Sequence, residues 1–129
     1  MEHNFWEPSF HNEPGRVTLD AKITFGASGA PTLTRGQFIT SITRTSTGLY
    51  VLTTSGPFSR FLGLTGVFLV STVPAANMGL SVVSAVTTTG AITFKTLAAD
   101  NSATPAPVVI DPASGEILYL QVYVGNAGA

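Results

Sequence analysis

The stretch Arg16–Phe25, RVTLDAKITF, carries the pattern that decides the fold of this chain. Apolar residues occupy every second position from Val17 to Phe25, and the positions between them hold Thr18, Asp20, Lys22 and Thr24. Successive side chains of a β-strand point to opposite faces, so a period of two predicts a strand with one buried face. The opposite face carries an acid and a lysine and is expected to meet solvent or a polar neighbour.

Similar alternating, threonine-rich segments along the chain predict three β-hairpins. They join residues 37–45 to 49–53, residues 79–88 to 91–97, and residues 108–110 to 117–124. Gly48, Gly90 and Gly115 lie at the three turns, where glycine reaches the left-handed backbone conformation without steric cost. The second hairpin is expected to supply core side chains from both of its strands, namely Val82, Val86, Ile92 and Phe94.

Two more segments lie between the first and second hairpins. Residues 58–62 are predicted as a short strand or a helical turn, with Phe58 and Phe61 in the core. Residues 64–73 are predicted as a buried strand, with a bend or bulge where Gly63 and Gly66 interrupt the run. With these segments the sequence predicts an all-β fold of about eight strands.

Long connections near Gly26, Pro74 and Asn101 suit links between two sheets better than tight turns do. We therefore expect a two-sheet antiparallel β-sandwich that is jelly-roll-like in its connections. Residues 16–129 are predicted to form this single domain, because their number suits one two-layer core. Residues 1–15 are predicted to form an extended N-terminal arm.

Charge is scarce in this chain, because 10% of the residues are Asp, Glu, Lys or Arg whereas a soluble domain averages about 25%. Much of its surface is therefore expected to be buried against other chains. A net charge of -1 lacks the basic face that nucleic-acid binding requires, and no apolar run is long enough to cross a membrane. The chain has no cysteine, which excludes disulfides and thiolate metal sites.

Three segments carry a resemblance to a known family: residues 42–53 (ITRTSTGLYVLT), residues 16–20 (RVTLD) and residues 115–124 (GEILYLQVYV). They resemble the capsid decoration, or cement, proteins of tailed bacteriophages and related small phage virion proteins. The resemblance implies a jelly-roll-like β-sandwich, without catalytic residues, that clamps neighbouring major capsid subunits on the outer capsid surface. On a shell lattice we expect such a protein to work as a homodimer or homotrimer.

The arm offers aromatic anchors for such a contact. Phe5, Trp6 and Phe10 stand among acids and prolines and cannot form an amphipathic element of their own. A large ring on an extended arm is a typical hot spot of a protein interface. The alternatives are that the arm folds back over its own sandwich or frays, as chain termini commonly do.

Arg44 is a second kind of candidate contact, because it is a lone charge among hydroxyl-bearing residues. It is expected to reach a carboxylate on a neighbouring subunit, where a bidentate pair would fix the register of the contact. The alternative is that it extends into solvent or pairs weakly with an acid of its own chain, namely Asp20, Asp100 or Glu116.

Tyr119 and Tyr123 lie four residues apart in one predicted strand and therefore share a face. Exposed tyrosines could stack on sugars, which leaves a second function open: a glycan- or receptor-binding module of a phage tail or fibre. Contact with another subunit is favoured, because no cluster of acids and amides accompanies the tyrosines in the sequence to hold sugar hydroxyls.

Metal binding and catalysis have little support. Four possible metal ligands share the arm, but prolines there deny them fixed geometry; they are His3, Glu7, His11 and Glu13. No Gly-x-Ser-x-Gly elbow occurs, and a Ser-His-Asp triad would have to recruit the arm for its histidine. Asp111 and Glu116 are interpreted as a turn former and a solvated strand start. We therefore expect no enzyme activity, no metal and no cofactor.

Overall fold

The computed structural model describes residues 16–69, 78–99 and 107–126. They form nine β-strands and one short 3₁₀ turn, Ala27–Gly29. The strands are β1 (Arg16–Phe25), β2 (Pro31–Gln37), β3 (Ile39–Ser46), β4 (Leu49–Thr54), β5 (Phe58–Leu69), β6 (Met78–Val86), β7 (Ala91–Ala99), β8 (Pro107–Val109) and β9 (Ile117–Asn126). The predicted arm, residues 1–15, lies outside the described residues.

The strands form two sheets in which every neighbouring pair is antiparallel. Sheet A has the order β2-β1-β9-β5, and sheet B has the order β3-β4-β7-β6 with β8 beside β7. The prediction of a two-sheet antiparallel β-sandwich is confirmed. No helix among the described residues is long and apolar enough to span a membrane.

The prediction that β8 and β9 form a third hairpin is wrong. β8 pairs with β7 in sheet B, with Val109 opposite Leu97, whereas β9 lies between β1 and β5 in sheet A. The segment after β8 therefore crosses between the sheets instead of turning back. Two backbone bonds hold its far end to β1: Gly115 N–H donates to the Phe25 carbonyl at 2.7 Å, and Phe25 N–H donates to the Glu116 carbonyl at 2.9 Å.

The core lies between the sheets and is built from alternating residues, as the period of two predicts. Leu118, Leu120, Val122 and Val124 of β9 are buried, while Tyr119 on the same strand is exposed. Tyr50 is fully buried at the centre, with its ring 5.4 Å from that of Phe25 and 5.8 Å from that of Phe94. Each such side chain contributes about 1.5 to 3 kcal/mol through burial, so this core carries most of the stability.

Strand β5 is continuous, so residues 58–62 are neither a separate strand nor a helical turn. Its register on β9 shifts between Phe61 and Gly63, a bulge that lets one long strand bend and continue. Phe58 is buried and Phe61 packs against the core, as predicted.

Val82 and Val86 of β6 are exposed, which corrects the expectation that they enter the core. The register of β6 on β7 shifts between Val82 and Ser84, so a bulge interrupts the alternation on this strand. Ile92 and Phe94 on the regular partner strand are fully buried, as predicted.

Candidate functional site

The outer face of sheet A carries a row of polar side chains from four strands. Asp20 of β1 stands opposite Gln37 of β2 on one side and opposite Gln121 of β9 on the other. Thr65 of β5 stands opposite Gln121 and completes the row. Directly opposed residues have Cβ atoms about 5 Å apart, so these groups form one continuous polar line across the sheet.

A second row runs beside the first and contains an aromatic ring. Lys22 stands opposite Arg35 on β2 and opposite Tyr119 on β9, and Val67 of β5 stands opposite Tyr119. The Lys22 ammonium lies 5.8 Å from the centre of the Tyr119 ring, within the range of a cation–π contact. The Tyr119 side chain is nevertheless 40% exposed, so its ring remains accessible.

Members of both rows, but not Lys22, line a groove of about 650 Å³, which we call the sheet A groove. Its walls and floor are Asp20, Ala21, Arg35, Gln37, Thr65, Gly66, Val67, Tyr119, Leu120 and Gln121. Tyr123 lies next along β9 and donates from its hydroxyl to Gln121 Oε1 at 2.9 Å. That bond orients the Gln121 amide so that its NH₂ group is left to donate elsewhere.

Asp20, Arg35 and Gln37 line the groove and make no hydrogen bond or ion pair within the described part of the chain. They supply an acceptor, a donor and an amide that can do both. The expectation that no cluster of acids and amides lies beside the tyrosines is therefore wrong for Tyr119. The sequence could not show this cluster, because it assembles only when β1 pairs with both β2 and β9.

A second polar cluster, which we call the Asp111 lock, sits where the segment after β8 passes the β3–β4 turn. Asp111 accepts two bonds from Arg44, from Nε at 3.0 Å and from an Nη at 2.8 Å. It also accepts from Gly48 N–H at 2.7 Å and from the Tyr50 hydroxyl at 3.2 Å. Tyr50 O–H also lies 2.8 Å from the Gly29 carbonyl, which brings in the turn before β2.

The electrostatics of the Asp111 lock favour a charged acid and a protonated phenol. Hydrogen bonding from Arg44, with help from Gly48 and Tyr50, lowers the pKa of Asp111 below its ordinary value of 3.8. Burial and the neighbouring Asp111 charge raise the pKa of Tyr50, so the phenol stays protonated and donates. Neither group is poised to exchange protons near neutral pH, and the cluster is suited to holding three segments together.

The Asp111 lock also identifies the ion-pair partner of Arg44 within the chain. That partner is Asp111, and not Asp20 or Glu116 as the alternative proposed; Asp100 lies outside the described residues. Asp111 was interpreted only as a turn former, because a single sequence does not show that residue 111 packs against residue 44. The expectation that Arg44 reaches another subunit stays a prediction.

A third feature is the side of the sandwich formed by β5 and β6, which we call the β5–β6 edge. Each of these strands lies at the end of its sheet, and the two are in contact with one another. Apolar side chains are exposed along both strands, with Val67 at 69% and Val83 at 53%. Arg60 is the one charged residue in their sequences. Long apolar edge strands are normally guarded by charge, proline or a covering segment.

The opposite side, formed by β2 and β3, is guarded in this way. Pro31 opens β2, and each of the two strands carries an arginine among threonines and serines. Strands β5 and β6 therefore carry one arginine fewer than β2 and β3 do, and no proline.

The aromatic arm residues Phe5, Trp6 and Phe10 lie outside the described residues, as do His3, Glu7, His11 and Glu13. Within residues 16–69, 78–99 and 107–126, no group of three or more His, Cys, Asp or Glu side chains could hold a metal ion. Comparisons of this chain with protein-family models, with curated proteins and with solved structures gave no match.

Proposed function

We propose that this protein is a non-enzymatic structural subunit that joins copies of itself through the β5–β6 edge. In this proposal the assembled copies clamp neighbouring major capsid subunits on the outside of a phage head. The exposed apolar β5–β6 edge is the observation that carries the first part. The resemblance to capsid decoration proteins supplies the second part.

The edge favours a second copy of this chain as its partner. A two-fold contact brings the same surface of two subunits together, and an edge strand can pair with its own copy in antiparallel register. Such a contact hides exposed apolar residues from both copies at once; on one copy they are Leu62, Val67, Leu69, Val82, Val83 and Val86. With one charged residue on the two strands, the contact carries little electrostatic repulsion.

Val83→Lys is expected to abolish self-association, because an ammonium group at the bulge of β6 would have to be buried against the other copy. Size-exclusion chromatography with light scattering would give the mass of each variant. Val108→Lys is the matched control, since Val108 is also an exposed valine but lies on β8, away from the edge. A full-length protein that is monomeric at all accessible concentrations would refute the self-association proposal.

The capsid role is tested with capsids stripped of their external proteins. Full-length protein is expected to co-sediment saturably with these capsids and to raise their melting temperature, because ligand binding stabilises the bound state. A version lacking residues 1–15 is expected to bind more weakly if the aromatic arm contacts the shell. No binding by either form would refute the cement role and favour a tail or fibre location.

A further inference from the structure

We propose that the sheet A groove is a binding site for a neutral carbohydrate. The proposal goes beyond self-association and capsid binding, because it concerns a ligand of a different chemical class and the outer face of sheet A, which shares Val67 with the β5–β6 edge. It rests on three properties of the groove: the mixture of donors and acceptors, the balance of charge and the accessible aromatic ring.

The donors and acceptors match a ligand that carries hydroxyl groups. Each sugar hydroxyl both donates and accepts, so it can satisfy the Asp20 carboxylate and the Gln121 amide NH₂ in the same row. Gln37 offers both kinds of group at the other end of that row, and Arg35 adds donors from the neighbouring row. An apolar protein surface placed here would leave these groups without partners, which disfavours that occupant.

The charge balance indicates a neutral ligand. Among the lining residues Asp20 and Arg35 carry opposite charges, and the Lys22 ammonium beside the groove lies over the Tyr119 ring. A phosphate or an acidic sugar would meet the Asp20 carboxylate near the middle of the polar row, where like charges repel. A neutral sugar meets no such repulsion, and it can accept from Arg35 and donate to Asp20 at once.

The Tyr119 ring supplies the apolar contact that sugar binding uses in addition to hydrogen bonds. The Tyr119 ring lies on the same face as Gln121, two residues away along β9, or about 7 Å. Neighbouring strands are about 4.8 Å apart, so the area between Gln37, Tyr119 and Thr65 accommodates one or two sugar rings. The open groove therefore suits a short segment or the end of a glycan chain.

The test uses the isolated full-length protein, labelled with ¹⁵N and titrated with neutral di- and trisaccharides of glucose, galactose, mannose and N-acetylglucosamine. We expect a dissociation constant in the millimolar range for so open a site. Each sugar is therefore titrated to a concentration of about 10 mM. We expect saturable shifts for at least one sugar at the amides of Asp20, Gln37, Tyr119 and Gln121. No saturable shift with any of these sugars, or shifts confined to other surfaces, would overturn the proposal.

Three variants locate the site. Tyr119→Ala is expected to weaken binding about tenfold or more, and Asp20→Asn is expected to weaken it without unfolding the protein. Lys95→Ala, on β7 of the opposite sheet, is the control and should leave binding unchanged. An unchanged affinity in Tyr119→Ala, or tighter binding of inorganic phosphate than of any neutral sugar in the same groove, would contradict the proposal. Capsids play no part in this experiment, so its failure is separate from failure of the cement role.

Discussion

Asp111→Ala is expected to lower the free energy of unfolding by about 2 to 3 kcal/mol. The substitution leaves the part-buried Gly48 N–H without its 2.7 Å acceptor and removes one of the two acceptors near the Tyr50 hydroxyl. Arg44 loses both of its bonds to this carboxylate. Urea unfolding followed by circular dichroism, at one fixed protein concentration, would measure the change.

Two further variants separate the causes of this loss. Asp111→Asn keeps an oxygen for Gly48 N–H but removes the charge that Arg44 binds, so it should recover part of the lost stability. Asp20→Asn replaces an exposed acid that has no ion-pair partner among the described residues, and its effect should stay within about 0.5 kcal/mol. If Asp111→Ala changes stability no more than Asp20→Asn does, the lock does not hold the sheets together.

Acid should weaken the same lock. The pKa of Asp111 is lowered in the folded protein, so its contribution is fully present above the ordinary carboxyl pKa of 3.8. It is lost as the pH falls below that value and through the folded pKa, where the carboxylate takes up a proton. Wild-type stability should therefore fall more steeply below about pH 4 than the stability of Asp111→Asn.

Much of the fold follows from local pattern. The alternation in Arg16–Phe25 and in β9 gives the strand, its buried face and the shared face of the two tyrosines. Gly48, Gly90 and Gly115 take positive φ angles at the predicted turns, because the turn chemistry is local. Such features depend on residues a few positions apart and so can be predicted from one sequence.

Features that depend on strand pairing were not predicted. β2 was missed because Leu33 is its one large apolar residue and proline opens it, so the alternation is weak. β8 was predicted to pair with β9 because the two follow one another in the sequence. Its actual pairing with β7 depends on how the two sheets pack. The sheet A groove has the same origin. Asp20 and Gln121 are neighbours only because β1 pairs with β9.

Gly90→Ala is expected to lower the free energy of unfolding by about 3 kcal/mol or more. Gly90 has a φ of +73°, so an alanine would pay about 1 to 2 kcal/mol for the left-handed conformation alone. Its Cβ would also overlap the Thr54 hydroxyl and lie 2.8 Å from the Gly56 carbonyl oxygen, a backbone atom that cannot easily move.

The overlap would disturb a connection between the two hairpins of sheet B. Gly90 accepts from Thr54 N–H at 2.9 Å, and the Thr54 hydroxyl donates to Gly56 O at 2.7 Å. Gly115→Ala is the matched control, because Gly115 has a φ of +91° but no atom within 4 Å of the added Cβ. Its cost should therefore stop at about 1 to 2 kcal/mol. Equal losses in the two variants, measured by urea unfolding, would show that the contact with Thr54 contributes nothing beyond backbone strain.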